Sequence, residues 1–267
     1  MKNQLNSRER ERANPPAPYL GSKRLLAKTI IEKIGKIPHV CYAEPFFGMG
    51  GVFFRRQEIV KCEVINDISK DVTTFLRILQ RHYVEFLSFM RWHVTTRSEF
   101  EKLVNLNVNY LTDLERAARF FYLQKTAFGA KIAGRNYGYS AVEGGRFCIS
   151  RMESNLEAVH ERLASVQIEN LDYADFIARY DRKGTLFYID PPYWDCEDDY
   201  GKGIFVKKDF EKLAEQLLSV KGKFILSIND TKEIREIFKD FKLEEVKTTY
   251  FVDRSGSKKA SELLITR

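Results

Sequence analysis

The pattern of hydrophobic positions along this chain switches repeatedly between two periods. Apolar runs typical of strands occupy 40–43, 64–67, 166–171, 186–189, 223–228, 245–252 and 262–266. Between them, apolar residues recur at helical spacing, as in the stripes Leu25, Leu26, Ile30, Ile34, Ile37 and Phe210, Leu213, Leu217, Leu218. This alternation predicts an α/β fold.

The first two strands frame a glycine-rich turn. The segment 44–51 follows strand 40–43 and is predicted to lead into a helix. Strand 64–67 ends in Asp67, about 20 residues beyond the glycines, which is the order of a nucleotide-type βαβ unit. Taken alone, the same residues also fit a plain glycine turn and a solvated aspartate. Helices capped by Ser22 and by Asp209 are predicted for the two apolar stripes.

A long helical stretch interrupts the pattern of strands. It covers 69–165 and contains a capping box formed by Thr112 and Glu115. Between 129 and 147 the helical period disappears, and glycines alternate with basic and aromatic residues, which indicates hairpins or exposed loops. One α/β domain with a mostly helical insertion is therefore predicted.

Composition narrows the class of protein. The 267 residues are 44% hydrophobic and 30% charged, with a formal net charge of +7 that favours a polyanionic partner. Four cysteines without paired spacing indicate a reduced, intracellular protein. Neither they nor the four histidines form a ligand pattern, so we expect no metal. No apolar run approaches the roughly 20 residues that span a bilayer, and the polar start of the chain is not a signal peptide.

The residues that follow strand 186–189 carry the candidate chemistry. Asp190 precedes two prolines, which end the strand because proline lacks an amide donor and fixes φ. Tyr193 and Trp194 come next. An acid and two aromatic rings are therefore expected at the carboxyl edge of the sheet, where open α/β folds bind their ligands.

Together these features resemble the Dam-type (alpha-group) DNA N6-adenine methyltransferases, which depend on S-adenosylmethionine. The segments that match this family, in its order, are 18–23, 44–50, 66–67, 172–173, 190–193 (Asp-Pro-Pro-Tyr, the DPPY motif) and 262–266. The resemblance spans nearly the whole chain from Pro18. It implies a Rossmann-like methyltransferase sheet with helices on both faces, a C-terminal β-hairpin and an inserted, mostly helical DNA-recognition domain.

The resemblance also implies a division of labour along the chain. Residues 18–74 and 163–267 would form the catalytic domain that binds S-adenosylmethionine, and residues 75–162 the inserted domain that recognises the DNA target. Residues 1–17 are expected to form a flexible arm.

The cofactor S-adenosylmethionine would be held by residues from several of the matching segments. The residues implied are Tyr19, Lys23, Glu44, Phe46, Gly48, Gly50, Asp67, Asp172, Tyr173 and Asp190. Tyr19 and Lys23 would contact the methionine end, with Lys23 binding its carboxylate. Asp67 would hold the ribose, and Asp172 would accept the amino group of the adenine. Judged without the family, Tyr19 fits a packing aromatic, Lys23 a surface charge and Asp172 a helix cap.

The catalytic residues implied are those of the DPPY motif: Asp190, Pro191, Pro192 and Tyr193. The N6 lone pair of adenine is delocalised into its ring and is a poor nucleophile. The side chain of Asp190 and the carbonyl of Pro191 can accept its two N–H bonds and favour a tetrahedral nitrogen. Tyr193 would stack on a base that has left the duplex. Trp194 would either wall the pocket or pack.

DNA would be contacted by basic, amide and aromatic residues of the insertion and of the last hairpin. The candidates are Lys125, Lys131, Arg135, Asn136, Tyr137, Tyr139, Arg146, Arg254 and Lys258. A solvated charged surface is the alternative for any single lysine. Dam-type enzymes often carry an aromatic-Asn-Gly-Leu run where this chain has Phe-Gly-Ala-Lys at 128–131, so their target GATC is not carried over.

The function expected is site-specific transfer of a methyl group from S-adenosylmethionine to N6 of a flipped-out adenine in duplex DNA. The alternatives are an RNA adenine-N6 or protein glutamine methyltransferase, and a non-catalytic DNA-binding module. We expect a monomer or weak dimer in the cytoplasm of a bacterium, encoded by the host or a phage, with double-stranded DNA and no membrane as partner. A cognate restriction endonuclease, phage self-protection and a housekeeping mark remain open as its biological context.

Overall fold

Within the described part of the chain, seven strands form a single sheet. The computed structural model describes residues 12–139, 142, 144–197, 201, 203–251 and 257–267, with the backbone alone at 247–251 and 257–260. The strands are β1 (Cys41–Glu44), β2 (Cys62–Asn66), β3 (Gln167–Glu169), β4 (Thr185–Ile189), β5 (Lys223–Asn229), β6 (Lys242–Phe251) and β7 (Ser257–Thr266). Their spatial order is β3-β2-β1-β4-β5-β7-β6.

The connections between strands change direction beside β1. This strand pairs in parallel with both β2 and β4. Strands β2 and β3 therefore lie on one side of β1, and β4 to β7 lie on the other. Such a switch point opens a crevice at the carboxyl ends of the strands. β7 lies antiparallel between β5 and β6, which confirms the predicted C-terminal hairpin.

Helices cover both faces of the sheet, which confirms the predicted α/β, Rossmann-like class. Those described are α1 (Ala27–Gly35), α2 (Lys70–Arg81), α3 (Tyr83–Met90), α4 (Arg97–Asn105), α5 (Asp113–Thr126), α6 (Ile149–Leu163), α7 (Tyr173–Tyr180), α8 (Lys207–Ser219) and α9 (Lys232–Ile237). Successive residues of β4 point to opposite faces. Leu186 and Tyr188 pack in the core shared with α1–α6, whereas Phe187 and Ile189 pack with α7–α9.

The long helical stretch therefore packs on one face of the sheet through a common core. The predicted capping box is confirmed, because Thr112 and Glu115 cap the start of α5 reciprocally. The boundaries of a separate inserted domain stay a prediction. No helix among the described residues is long and apolar enough to cross a membrane.

Three predictions about the first helical elements are wrong. Ser22 does not cap α1, which begins only at Ala27, and Leu25 is 57% exposed instead of buried. The reason is that the preceding residues form turns, one of them closed by the Ser22 amide on the Tyr19 carbonyl at 3.2 Å. The glycine turn leads into a short 3₁₀ helix, Phe53–Arg55, instead of an α-helix.

The predicted cap of α8 is also wrong by position. Val206 is the capping residue, and Asp209 occupies the third helical position. The Asp209 carboxylate accepts a hydrogen bond from the Val206 amide at 2.9 Å, so the acid still satisfies the helix start. Leu218, predicted to lie in the buried stripe, is 50% exposed.

Candidate active site

The carboxyl ends of the parallel strands open into a cleft of about 530 Å³. Gly48 follows β1, Asp67 follows β2, Asp172 follows β3, and Asp190 follows β4; all four border this cleft. Residues far apart in the sequence are thus brought together where a switch point of the sheet leaves room for a ligand.

The glycine turn after β1 has a left-handed backbone, which favours glycine. Gly48 and Gly50 have φ of +54° and +66°. A Cβ at Gly48 would lie 2.8 Å from a ring carbon of Tyr19, so Tyr19 lies directly over the turn and borders the cleft. A Cβ at Gly50 would lie 2.6 Å from ring carbons of both Phe47 and Phe54. Gly50 therefore serves the packing beneath the turn.

We expect Gly50→Ala to lower the free energy of unfolding by about 2–4 kcal/mol, because left-handed backbone strain adds to overpacking. Urea denaturation measures this change. Gly144→Ala is the matched control, since nothing lies within 4 Å of a Cβ there, and it should change stability by no more than about 0.5 kcal/mol. Equal effects of the two substitutions would show that the turn is not constrained as described.

Asp67 is fixed by the backbone at the wall of the cleft. Its two carboxylate oxygens accept hydrogen bonds from the Gly48 and Ser69 amides, each at 2.8 Å. Burial raises the pKa of Asp67 to about 6, against the lowering effect of those two bonds. Each oxygen keeps a further lone pair for ligand hydroxyls.

Asn66 joins the ends of three strands beneath this acid. Its amide nitrogen donates to the carbonyls of Pro45 and Leu171 at 2.9 and 3.0 Å, and its oxygen accepts from the Leu171 amide at 2.8 Å. This bracing is a role that the sequence analysis missed. The sequence signal for this role is an asparagine at the end of an apolar strand.

An aromatic wall forms one end of the cleft. Phe46 stacks on Tyr173 with ring centroids 5.4 Å apart, and Phe205 meets Phe46 edge-on at 5.7 Å. All three rings border the cleft, as does Ile68, a half-exposed residue directly after Asp67. Phe205 and Ile68 were missed by the sequence analysis, since a single apolar residue in a loop carries no pattern.

The position of Asp172 is compatible with both alternatives that the sequence left open. Its Oδ1 accepts from the Ala174 amide at 2.8 Å and so caps α7. The same side chain borders the cleft beside Tyr173. A helix cap and a position in the cleft wall are therefore compatible.

Asp190 lies at the end of β4 within a buried polar cluster. Its Oδ1 lies 2.6 Å from the Lys23 ammonium and accepts from the Ser227 hydroxyl at 3.3 Å. Burial raises the pKa of Asp190 to about 6; Lys23 acts against this rise, and the charge of Glu262 adds to it. The Asp190 side chain is 20% exposed, so the cluster still opens to the cleft.

Tyr193 is held in the same cluster by its hydroxyl. That hydroxyl accepts from the Lys23 ammonium at 3.0 Å and donates to the carboxylate of Glu262 on β7. Glu262 is 1% exposed, and its other oxygen lies 3.9 Å from the Lys23 ammonium. Glu262 belongs to a segment that matches the family, and an acid within an otherwise apolar strand is the sequence signal for its role.

The loop between these residues is also fixed. Pro191 and Pro192 are buried, and Pro192 borders the cleft. The Asn229 side chain holds the backbone of Trp194 by two hydrogen bonds. It accepts from the Trp194 amide at 2.9 Å and donates to the Trp194 carbonyl at 3.1 Å. The Trp194 ring packs on Phe210 at 5.3 Å, which favours the packing alternative.

Glu44 lies behind the cleft wall. It is 2% exposed and accepts a hydrogen bond from the Tyr42 hydroxyl at 2.7 Å. Burial raises the pKa of Glu44 to about 8. Direct contact of Glu44 with a cofactor therefore stays a prediction, and its surroundings are those of a supporting residue.

The candidate DNA contacts differ in how far they reach solvent. Lys125 borders the cleft, and burial lowers its pKa. The exposed candidates are Lys131, Asn136, Tyr139 and Arg146. Arg146 lies over the hairpin-like loop, with Nη1 2.7 Å from the position of a Cβ at Gly138.

The other candidates either contact side chains of the protein itself or lie outside the described side chains. Arg135 donates to the side chain of Gln124 at 3.3 Å, and the Tyr137 ring meets Phe100 edge-on at 5.5 Å. Arg254 lies outside the described residues. Only the backbone of Lys258 is described, opposite Tyr250 in the hairpin. Their contacts with DNA stay predictions.

The cleft therefore combines a carboxylate acceptor, an aromatic wall and two further acids, and Tyr193 shares the Lys23 ammonium with the acceptor Asp190. In the part of the chain that the structure describes, no group of three or more histidine, cysteine or acidic side chains could hold a metal ion. Asp190 and Tyr193 can accept and orient an amine on a planar ring, while Asp67 and the aromatic wall can hold a nucleoside.

Known proteins match the chain over most of its length. Residues 19–252 match the family described as D12 class N6 adenine-specific DNA methyltransferase. The type II methyltransferase M.CviBI of Paramecium bursaria Chlorella virus NC1A is 24% identical over 218 residues, covering 80% of this chain and 83% of its own. M.MjaIII, a type II methyltransferase of Methanocaldococcus jannaschii, is 26% identical over 253 residues, covering 84% and 87%. The DNA adenine methylase of Salmonella typhi is 26% identical over 239 residues, covering 84% and 85%.

Proposed function

The chain belongs to the D12 class of N6 adenine-specific DNA methyltransferases, and we propose that Asp190, Pro191 and Tyr193 carry its catalytic step on duplex DNA. Membership of this family implies S-adenosylmethionine as the methyl donor. The observation that carries the proposal is that Asp190 borders the same cleft as Asp67 and Gly48.

The residues of the cleft fit that cofactor. The volume of the cleft, about 530 Å³, suits a ligand of the size of S-adenosylmethionine. Asp67 would bind the ribose hydroxyls, and the adenine would lie against the aromatic wall of Phe46 and Tyr173, next to Ile68. The lack of a side chain at Gly48 makes room for the ring of Tyr19, which borders the cleft and can contact the ligand. When bound, S-adenosylmethionine supplies an electrophilic methyl group on a positive sulfonium.

Asp190 would bind the amine of the target adenine through its second oxygen. The contacts of Lys23 and Ser227 both fall on Oδ1, which leaves Oδ2 for the substrate. With the carbonyl of Pro191 accepting the second N–H bond, the lone pair is drawn out of conjugation with the ring. Tyr193, whose hydroxyl is anchored, would stack on the base and hold its plane.

Duplex DNA as the substrate requires the target adenine to leave the helix, at a cost of a few kcal/mol. The net charge of +7 and the exposed basic residues Lys131 and Arg146 support binding to the phosphate backbone. Labelled cofactor incubated with separate pools of duplex DNA, RNA and protein tests the substrate. Label in the DNA pool supports the proposal, and label confined to RNA or protein would contradict it.

DNA affinity should fall steeply with salt, because bound phosphates release counterions. About six phosphate contacts correspond to a log–log slope near −5, measurable by fluorescence anisotropy of a labelled duplex. Arg146→Gln should flatten the slope by about one. Lys36→Gln, at the exposed C-terminal cap of α1, is the matched control and should leave the slope unchanged. A flat salt dependence of the unmodified protein would count against a duplex substrate.

The wider context is also part of the proposal. We infer a monomer or weak dimer acting on bacterial or phage DNA, with a cognate restriction endonuclease as a partner to be tested. Sequencing the methylated adenines in a host that expresses this chain identifies the target site. Digestion of that DNA with candidate endonucleases then shows which of them the methylation blocks.

A further inference from the structure

Gln124 on α5 connects three segments of the chain through its side-chain amide. The amide nitrogen donates to the carbonyls of Pro18 and Ala130, each at 2.9 Å, and the amide oxygen accepts from Arg135 Nη2 at 3.3 Å. The Gln124 side chain is completely buried, so solvent does not compete for these bonds. Because both N–H bonds of the amide are used, a shift of either carbonyl leaves a buried donor unpaired.

The first of these segments forms part of the cofactor cleft. Pro18 and Tyr19 both border the cleft, and the Tyr19 ring lies over the glycine turn at Gly48. A second amide holds the same segment nearer its start, because Asn155 on α6 accepts from the Asn14 amide at 2.8 Å and donates to the Asn14 carbonyl at 3.1 Å. This side of the cleft is therefore held in place by α5 and α6.

The other two segments belong to one loop, residues 127–138, which we call the basic loop. The Phe128 amide closes it by donating to the Asn136 carbonyl at 2.8 Å. The loop exposes Lys131 and Asn136, two of the candidate DNA contacts, and its residue Ile132 borders the cleft. The basic loop therefore adjoins both the cofactor cleft and the surface that we expect to meet DNA.

The conformation of the basic loop depends on Gln124. Ala130 has a φ of +56°, a left-handed backbone that is unfavourable for a residue with a Cβ. Such a conformation persists only where the surroundings hold it, and the bond from Gln124 to the Ala130 carbonyl does so. The same amide orients Arg135, which also donates to the Lys131 carbonyl at 3.1 Å. Loss of the amide would release the strained backbone and the guanidinium together.

We infer that Gln124 is a positioning residue that couples the binding of DNA to the binding of the cofactor. A ligand that fixes Tyr19 also fixes the adjoining Pro18 carbonyl and, through Gln124, the basic loop. The second ligand then meets a loop that is already ordered and loses less conformational entropy. Each ligand should therefore strengthen the binding of the other by the same factor. This inference rests on the proposed use of S-adenosylmethionine and duplex DNA.

Two titrations of the full chain measure the coupling. Fluorescence anisotropy gives the affinity for a labelled duplex that carries the target site, with and without S-adenosylhomocysteine. Calorimetry gives the affinity for S-adenosylhomocysteine, with and without that duplex. We expect each ligand to strengthen the binding of the other about tenfold. Gln124→Met keeps the length of the side chain but removes its hydrogen bonds, so it should abolish the coupling.

Gln80→Met is the matched control. Gln80 on α2 also donates to two backbone carbonyls, those of Leu163 and Val166, at 2.7 and 2.9 Å, and none of these three residues borders the cleft. It should lower the free energy of unfolding as Gln124→Met does, but keep the coupling. Gln124→Glu keeps an acceptor for Arg135 and loses the amide donors, so it should lose the coupling. A purely structural Gln124 would lower both affinities and leave the coupling factor unchanged.

Hydrogen exchange of the unmodified chain gives a second test that needs no variant. S-adenosylhomocysteine alone should slow exchange at the Phe128 amide, whose bond to Asn136 closes the basic loop. The inference is overturned if either Gln124 variant keeps the coupling, if Gln80→Met loses it, or if the cofactor product leaves exchange in the loop unchanged. If the unmodified chain binds neither S-adenosylhomocysteine nor the duplex, the proposed function itself fails. Binding of both without coupling overturns this inference alone.

Discussion

Replacing Asp190 by alanine or asparagine is expected to lower the rate of methyl transfer by about a thousandfold, while binding of S-adenosylmethionine stays measurable. Alanine removes the acceptor for the adenine amine and also leaves the Lys23 ammonium without its nearest anion. Asparagine keeps the shape, but its amide group can present a donor to an amine that needs an acceptor. Both changes act on the reacting nitrogen, so they should lower kcat.

Single-turnover kinetics with a methylatable duplex measure this effect, and calorimetry reports the binding of the cofactor. Asp175→Asn is the matched control, because Asp175 is exposed in the first turn of α7. Thermal unfolding separates a folding defect of the alanine variant from a catalytic one. Turnover of Asp190→Asn within a few-fold of the unmodified protein would refute the role of this carboxylate.

Glu262→Ala is expected to lower kcat by about a hundredfold, because the Tyr193 hydroxyl loses its acceptor and the stacking ring loses its anchor. Glu262→Gln keeps an acceptor but removes a negative charge. The charged or titratable groups that act on Asp190 are Lys23, Glu262, Glu44 and Tyr188, with Ser227 as a neutral donor. Of these, Glu262 raises the pKa of Asp190 and Lys23 lowers it.

The sign of the pH effect follows from that charge. The ionised carboxylate of Asp190 is a stronger acceptor of the N–H bond than its protonated form, so activity falls as pH decreases through its pKa, about 6 in the free protein. Without the charge of Glu262 the carboxylate stays ionised to lower pH, and the acid limb of the rate profile should move downward in Glu262→Gln. Glu245→Gln, at an exposed position of β6, is the control. An unmoved acid limb would mean that Glu262 is only structural.

The acids that border the cleft could be predicted because each follows a strand. Asp67 and Asp190 end apolar runs, and parallel strands present their carboxyl ends at one edge of the sheet. No pairing between distant residues was needed for that prediction. The antiparallel pairing of the last two strands could likewise be predicted, since two strand patterns flank a short polar turn.

The contacts of Lys23 could not be predicted in the same way. Its partners Asp190, Tyr193 and Glu262 come from two distant strands, and the register of β7 beside β5 decides that Glu262 faces inward. The start of α1 was also misjudged, because the chain forms turns at 19–22 and 23–26 before the helix begins at Ala27. Long-range packing, which no local pattern records, set the contacts of Lys23.

The most direct measurement is a crystal structure of the chain with S-adenosylhomocysteine and a duplex that contains its target adenine. We expect the flipped adenine to stack on Tyr193, with N6 at about 2.6–3.2 Å from Asp190 Oδ2 and from the Pro191 carbonyl. An adenine that enters the cleft elsewhere, with N6 bound by other residues and Asp190 still closed on Lys23 alone, would contradict the account.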